Sequence, residues 1–200
     1  LPPPIAYTDQ SERAAEIWKH IHGYDAVIFS EAFYNSARDN DLIPGITAEY
    51  PYRTTVVDEG TFNEDGGVFI ASRWPIDTFR QIVFNDCDGS DCLSAKGVMY
   101  ACINKSGRKY HLFGSHTQAW NDPQNFSTRV LQFLQMRSFI NSLNIPADET
   151  VIIGGDLNVD KIVNNLNEYP RMLDSLNVLE PTYLGNPYTY DGNLSYYTDP

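Results

Sequence analysis

Three short apolar runs in this sequence each end on a polar residue able to handle a metal, a phosphate or a proton. Glu31 follows Ala26-Val27-Ile28-Phe29, His116 follows His111-Leu112-Phe113-Gly114-Ser115, and Asp156 and Asn158 follow Val151-Ile152-Ile153-Gly154-Gly155. Such runs read as buried strands, and a strand end places its side chain at the rim of a sheet, where clefts form. Taken singly, each residue also fits a structural role. Glu31 fits a helix cap, His116 a hydrogen-bonded structural histidine, and Asp156-Leu157-Asn158 an Asx turn after two glycines. Together they supply a carboxylate for a hard metal, an imidazole, and an Asp/Asn pair able to orient water and phosphate. Magnesium prefers oxygen ligands and keeps several waters, so one or two protein carboxylates suffice. Phosphodiester hydrolysis calls for this set: a cation against the phosphate charge, a donor to a non-bridging oxygen, and a group that positions water.

The elements that must hold these residues follow from periodicity. Thr8 or Asp9 caps a helix running to about His22, with Ala14, Ile17, Trp18 and Ile21 on one face and Gly23 ending it. Strands are expected over 25–29, 54–57, 67–72, 78–84, 97–103, 109–114 and 150–155. Asn104-Lys105-Ser106-Gly107 reads as a hairpin turn. A long helix is expected over Ser127 to Leu143, while the chain from Pro181 onward shows no clear period. Many strands with helices set between them favour α/β layers over a plain sandwich.

At 200 residues the chain suits one domain, and 42% apolar with 20% charged residues is globular composition. The net charge of −12 argues against a protein that wraps nucleic acid and against docking on anionic lipid through a basic patch. It leaves room for a zwitterionic substrate, or for a phosphate held through a metal. No stretch approaches 18 consecutive apolar residues, so no transmembrane segment is expected. Leu1-Pro2-Pro3-Pro4 reads as a processed or trimmed start. Cys87 and Cys92 flank the turn-rich Asp88-Gly89-Ser90-Asp91; a disulfide there suits a secreted protein, and two reduced cysteines beside a turn is the alternative. Cys102 sits in an alternating run and reads as a buried small apolar residue. Sequons at Asn104, Asn125 and Asn193 point mildly to a eukaryotic secretory origin.

Several segments carry a resemblance. Asp25-Ala26-Val27-Ile28-Phe29-Ser30-Glu31-Ala32-Phe33 resembles the "D-V-V-x-x-x-E-V-F" segment of the endonuclease/exonuclease/phosphatase superfamily. Gly114-Ser115-His116-Thr117-Gln118-Ala119 resembles its "G-T-H-x-Q-A", and Gly154-Gly155-Asp156-Leu157-Asn158 its "G-G-D-x-N". Within it, the neutral magnesium-dependent sphingomyelinases (sphingomyelinase C type) are most similar. Residues 65–76, Asp65-Gly66-Gly67-Val68 through Trp74-Pro75-Ile76, resemble their "D-G-G-V-x-I-x-S-x-W-P-I", and Asp91 to Val98 their "D-x-L-x-x-K-G-V".

The resemblance implies a four-layered α/β sandwich, two mostly antiparallel sheets flanked by helices, forming one domain over 1–200. It implies hydrolysis of sphingomyelin in a membrane surface to ceramide and phosphocholine, with Mg²⁺ as cofactor and Mn²⁺ or Co²⁺ as substitutes. Glu31 and Asp156 would be metal ligands, Asp156 also orienting the attacking water. Asn158 would hydrogen-bond the phosphate. His116 would donate to a non-bridging oxygen or assist the leaving ceramide oxygen. Asp91 and Lys96 would form a substrate-side switch pair near the cleft. The family pattern also includes an N-terminal strand bearing an Asn ligand and a C-terminal Asp–His base pair, neither of which matches a segment here. The chain is therefore expected to be a partial one, short of its first and last strands, and inactive or nearly so by itself, since losing such a base costs ~10²–10⁴-fold in rate. A secreted monomer is expected. Another superfamily phosphodiesterase, on nucleic acid or phosphoinositides, and a catalytically degenerate lipid-binding domain are the alternatives.

Overall fold

The structure is a computed structural model describing residues 9–60, 64–161, 167–182 and 184. Its elements run α1 (Gln10–Ile17), β1 (Ala26–Phe29), α2 (Asn35–Ala37), a π turn (Arg38–Leu42), α3 (Ile43–Thr47), β2 (Tyr52–Arg53), β3 (Phe69–Ser72), β4 (Ile76–Val83), a 3₁₀ turn (Gly89–Leu93), β5 (Gly97–Lys105), β6 (Arg108–His116), α4 (Pro123–Ser142), β7 (Thr150–Asp156) and α5 (Glu168–Leu176). They form a three-stranded sheet, β1-β3-β2, and a four-stranded sheet, β4-β5-β6-β7. All pairings are antiparallel except β6 with β7, which are parallel with α4 as the crossover between them.

The expected four layers are present, and the period-two alternation of two strands shows why. Phe69 and Ala71 of β3 pack on the helical layer with Ala14, Leu42, Ile46 and Tyr50. Val68 and Ile70, on the opposite face, meet Met99, Ala101, Ile103 and Leu112 of the second sheet. The other face of β5, through Val98, Tyr100 and Cys102, packs with Phe113 against Phe133 and Met136 of α4 and Met172 and Leu176 of α5. Strands apolar on both faces thus generate three hydrophobic interfaces between four layers.

The sheets approach closely where β1 crosses β6 and β7. A Cβ on Gly114 would lie 2.7 Å from Ile28 Cγ2, and one on Gly154 3.2 Å from Ile28 Cδ1. These two glycines let β1 settle onto the second sheet, so the loop leaving β1 reaches the ends of β6 and β7.

Several expectations shift. Thr54 to Val57 is not a regular strand. Its backbone bonds β3 at two points, Thr54 N–H to Ile70 O (2.9 Å) and Val57 N–H to Val68 O (2.9 Å). The Thr54 hydroxyl accepts the Ile70 N–H (3.0 Å) in place of a ladder carbonyl, and the paired strand lies just before it, in β2. The first helix ends at Ile17, with a 3₁₀ turn over Trp18–His20 before Gly23 at φ +86°. The long helix starts four residues earlier than expected, at Pro123, with Asp122 capping the N–H groups of Gln124 and Asn125. The hairpin turn is as expected, Ser106 and Gly107 both having positive φ. Cys102 is buried and free. Asn125 is also buried, bonding Gln118 and Asp122, so that sequon is not an exposed acceptor; Asn193 lies outside the described residues.

Candidate active site

Every residue singled out for chemistry lies at one end of the paired sheets. His116 and Asp156 are opposite each other in the last register pair of β6 and β7. Glu31, two residues beyond β1, completes a cluster in which one ligand atom each of Glu31, His116 and Asp156 lie within 4.8 Å of one another. Glu31 and Asp156 are exposed; His116 is buried.

The loop backbones are set by local chemistry. Glu31 has φ +58°, a left-handed conformation that costs a non-glycine residue roughly 1–2 kcal/mol. The next residue is anchored, Ala32 N–H donating to Gly67 O (3.0 Å). Gly67 itself has φ +61°, and a Cβ there would lie 2.9 Å from Ala32 N. At the other side Gly155 has φ +118°, and a Cβ would lie 2.1 Å from Ser115 O. Thr117 N–H donates to Asp156 O (3.1 Å) and its hydroxyl to Leu157 O (2.7 Å). Asn158 N–H donates to Asp156 Oδ1 (3.0 Å), which is the Asx turn, and its Nδ2 donates to Thr117 O (2.9 Å). The turn therefore also fixes the orientation of the Asp156 carboxylate and the Asn158 amide.

Lys96 is only 5% exposed. Its ammonium donates to Asp91 Oδ2 (2.7 Å) and Thr117 O (2.8 Å) and faces His116 Nε2 at 3.3 Å. An ammonium can only donate, so Nε2 accepts at that contact and the neutral ring carries its hydrogen on Nδ1. His116 Nδ1 is buried without a hydrogen-bond partner among the described residues. Burial, and after it the Lys96 charge, holds the His116 pKa below its ordinary value; Asp156, Glu31 and Asp91 pull the other way.

Asp91 also accepts from Ala119 N–H (2.7 Å) and sits in the 3₁₀ turn closed by the Cys87–Cys92 disulfide. Gln118 holds that loop from behind: its Oε1 accepts from Asp88 N–H (2.9 Å) and its Nε2 donates to Asp88 O (3.0 Å) and Asn125 Oδ1 (2.7 Å). The Gln of the "H-x-Q-A" pattern thus positions Asp91 and Lys96.

The cluster suits a hard dication. Two exposed carboxylates converge with an imidazole, and neither Glu31 nor Asp156 is ion-paired to a Lys or Arg among the described residues. Two carboxylates this close repel unless a cation neutralises them, and their oxygens match Mg²⁺ chemistry.

Sequence reasoning missed the buried charges behind the site. Arg129 is fully buried in α4, donates from Nη1 to the carbonyls of Gln118 (2.7 Å) and Trp120 (2.6 Å), and pairs through Nε with Glu168 of α5. Arg38 is buried beside the Glu31 loop. An Arg among apolar helix positions was the available signal. His111 is structural: Nδ1 bonds the Tyr100 hydroxyl (2.8 Å), Nε2 bonds Glu149 (2.6 Å), and burial pushes Tyr100 up to about 12. His22 pairs with Glu49 at the surface.

The site is thus an acid–imidazole–acid cluster at the common strand ends of a four-layered α/β sandwich. The chain belongs to the Endonuclease/Exonuclease/phosphatase family, whose profile matches residues 7–194. It is 43% identical over 205 residues to Sphingomyelinase C 2 of Leptospira interrogans, covering 92% of this chain and 32% of that protein. It is 38% identical to Sphingomyelinase C of Bacillus cereus, covering 93% of this chain and 62% of that one. Among solved structures, a beta toxin variant from Staphylococcus aureus with bound magnesium ions superposes with a TM-score of 0.86 at 38% identity, over 92% of this chain and 69% of that one. The chain thus spans about a third to three fifths of the length of these two named relatives.

Proposed function

We propose that the protein carrying this chain is a Mg²⁺-dependent phosphodiesterase that hydrolyses sphingomyelin to ceramide and phosphocholine. The observation that carries the reading is the Glu31–His116–Asp156 cluster backed by Lys96. The likeness to proteins named sphingomyelinase C supports the substrate. Glu31 and Asp156 would hold the metal, which when bound would supply Lewis-acid neutralisation of the phosphate charge. Asp156, fixed by the Asn158 N–H, orients the attacking water. Asn158 retains one amide hydrogen beyond that given to Thr117 and directs it to a phosphate oxygen. His116 donates to a non-bridging oxygen or to the leaving ceramide oxygen in the tautomer with its hydrogen on Nε2. That tautomer gives up the acceptor role toward Lys96 that the ring has without phosphate, while Lys96 keeps Asp91 and Thr117 O as partners. Lys96, held by Asp91, keeps positive potential against the phosphate. Mn²⁺ and Co²⁺ are expected to substitute for Mg²⁺.

The substrate is zwitterionic and reaches the site from a membrane surface, consistent with the net charge of −12. Among the described residues no helix is long and apolar enough to cross a membrane. The Cys87–Cys92 disulfide supports a secreted protein. We take the protein to be a monomer.

The reading is tested with His116→Ala and Glu31→Gln in the full-length protein. His116→Ala is expected to lower phosphocholine release ~10²–10⁴-fold, as for a proton-transfer group, and Glu31→Gln to lower release together with Mg²⁺ affinity, with no nicking of plasmid DNA by wild type. Undiminished release by both variants overturns it.

A further inference from the structure

Arg38 lies outside every motif that points to the chemistry, yet its contacts converge on the loop that bears Glu31. The side chain is 8% exposed on the π turn. Its Nη1 donates to Ala32 O (2.9 Å) and to Asp65 Oδ2 (2.7 Å), its Nη2 to Asn35 Oδ1 (2.7 Å), and its Nε to Asp39 Oδ1 (3.0 Å). The other oxygen of Asp65 accepts from Gly67 N–H (2.9 Å), and Gly67 O accepts from Ala32 N–H (3.0 Å). Both backbone polar groups of Ala32 are therefore fixed, the carbonyl directly by Arg38 and the N–H through Asp65 and Gly67. Ala32 follows Glu31, whose φ of +58° is a conformation the chain would leave if released.

We infer that Arg38 is a positioning residue for metal binding: its planar fork holds the Glu31 carboxylate where it can ligate a divalent cation. This rests on the reading of Glu31 as a metal ligand. Arg38 touches neither substrate nor metal, so its loss acts on affinity for the cation rather than on the chemical step. Lysine offers one point charge with no planar fork and cannot span Ala32 O, Asn35 and Asp65 together.

The test is Mg²⁺ titration by calorimetry of the full-length protein and of Arg38→Lys, Arg38→Met and Glu31→Gln, with Mg²⁺ alone as the probe. Loss of a residue that orients a metal ligand is expected to raise the Mg²⁺ Kd about 10–100-fold for Arg38→Met and less for Arg38→Lys. At saturating Mg²⁺, kcat should recover to near wild type, a split that a general loss of folding would not give. Should Arg38→Met fail to fold, Arg38→Lys decides. A folded Arg38 variant with the wild-type Kd overturns the inference while leaving Glu31 as ligand. A wild-type Kd in Glu31→Gln removes the reading beneath it, and the inference with it.

Discussion

Glu168→Gln is expected to destabilise the protein by about 3 kcal/mol, although it is isosteric. Arg129 and Glu168 are 0% and 2% exposed, and Arg129 Nε donates to Glu168 Oε1. Removing one partner of a buried pair strands the other charge, at a cost of about 3–5 kcal/mol. The lower end applies here because Arg129 Nη1 keeps its carbonyl partners on Gln118, Ala119 and Trp120. Arg129→Met removes the buried cation facing the Glu168 carboxylate and also the donor to those carbonyls, so the upper end of the range applies. The double change Arg129→Met with Glu168→Gln leaves no charge at this buried pair, and its cost should fall short of the sum of the two single changes by about 2 kcal/mol, within the span of couplings between contacting residues. Urea denaturation with a constant m value reads these differences, and a melting point lowered by roughly 6–12 °C for Glu168→Gln should accompany them. Glu168→Gln within ~0.5 kcal/mol of wild type, or an additive double variant, would refute the reasoning.

Three further outcomes follow from the site. Gly155→Ala should lose about 1–3 kcal/mol in chemical denaturation, since φ is +118° and a Cβ would lie 2.1 Å from Ser115 O; a neutral effect would mean the β7 end is not held as described. The buried His116 has a folded pKa below its ordinary 6.5, so the unfolded chain takes up more protons as pH falls through that value. Metal-free stability is then full above about pH 6.5 and declines below it; His116→Gln should flatten the decline between pH 7.5 and 5.5, and an unchanged slope would assign it elsewhere. Replacing Cys87 and Cys92 together by Ser releases a short loop (sequence separation 5), with an expected loss of roughly 2 kcal/mol and reduced turnover as Asp91 loosens. Turnover equal to wild type would show that the bridge does not hold the Asp91–Lys96 pair.

What the sequence made legible was whatever local pattern encodes. Polar residues closing apolar runs marked Glu31, His116, Asp156 and Asn158, because a buried strand must end where its side chains reach solvent. Alternation and turn composition located most strands of both sheets to within a few residues. The helical stretch from Asn35 to Thr47 escaped notice because it is broken into short pieces around a π turn and has no extended period. The helix from Glu168 to Leu176 carries Pro170 in its first turn and is flanked by left-handed Asn167 and Asn177, a short element whose burial comes from packing on α4. Asp122-Pro123 was a readable cap and first-turn pair, yet the apolar face drew the boundary to Ser127. Least legible were Arg38 and Arg129. A charged residue reads as surface in any one-dimensional pattern, and their partners Asp65 and Glu168 lie 27 and 39 residues away. Lys96 stands out through its resemblance to the K-G motif, with a solvated lysine as the lesser alternative, and only the fold shows it buried between Asp91 and His116.

The central claim is that Glu31, His116 and Asp156 form a metal-dependent phosphodiesterase site acting on a zwitterionic lipid. Phosphocholine release from sphingomyelin vesicles by the full-length protein, in Mg²⁺ and again in EDTA, tests it most directly. Release in Mg²⁺ that stops in EDTA and returns when Mg²⁺ is restored is the predicted result. Release that continues undiminished in EDTA, or its absence from a folded, Mg²⁺-loaded protein, would contradict the claim.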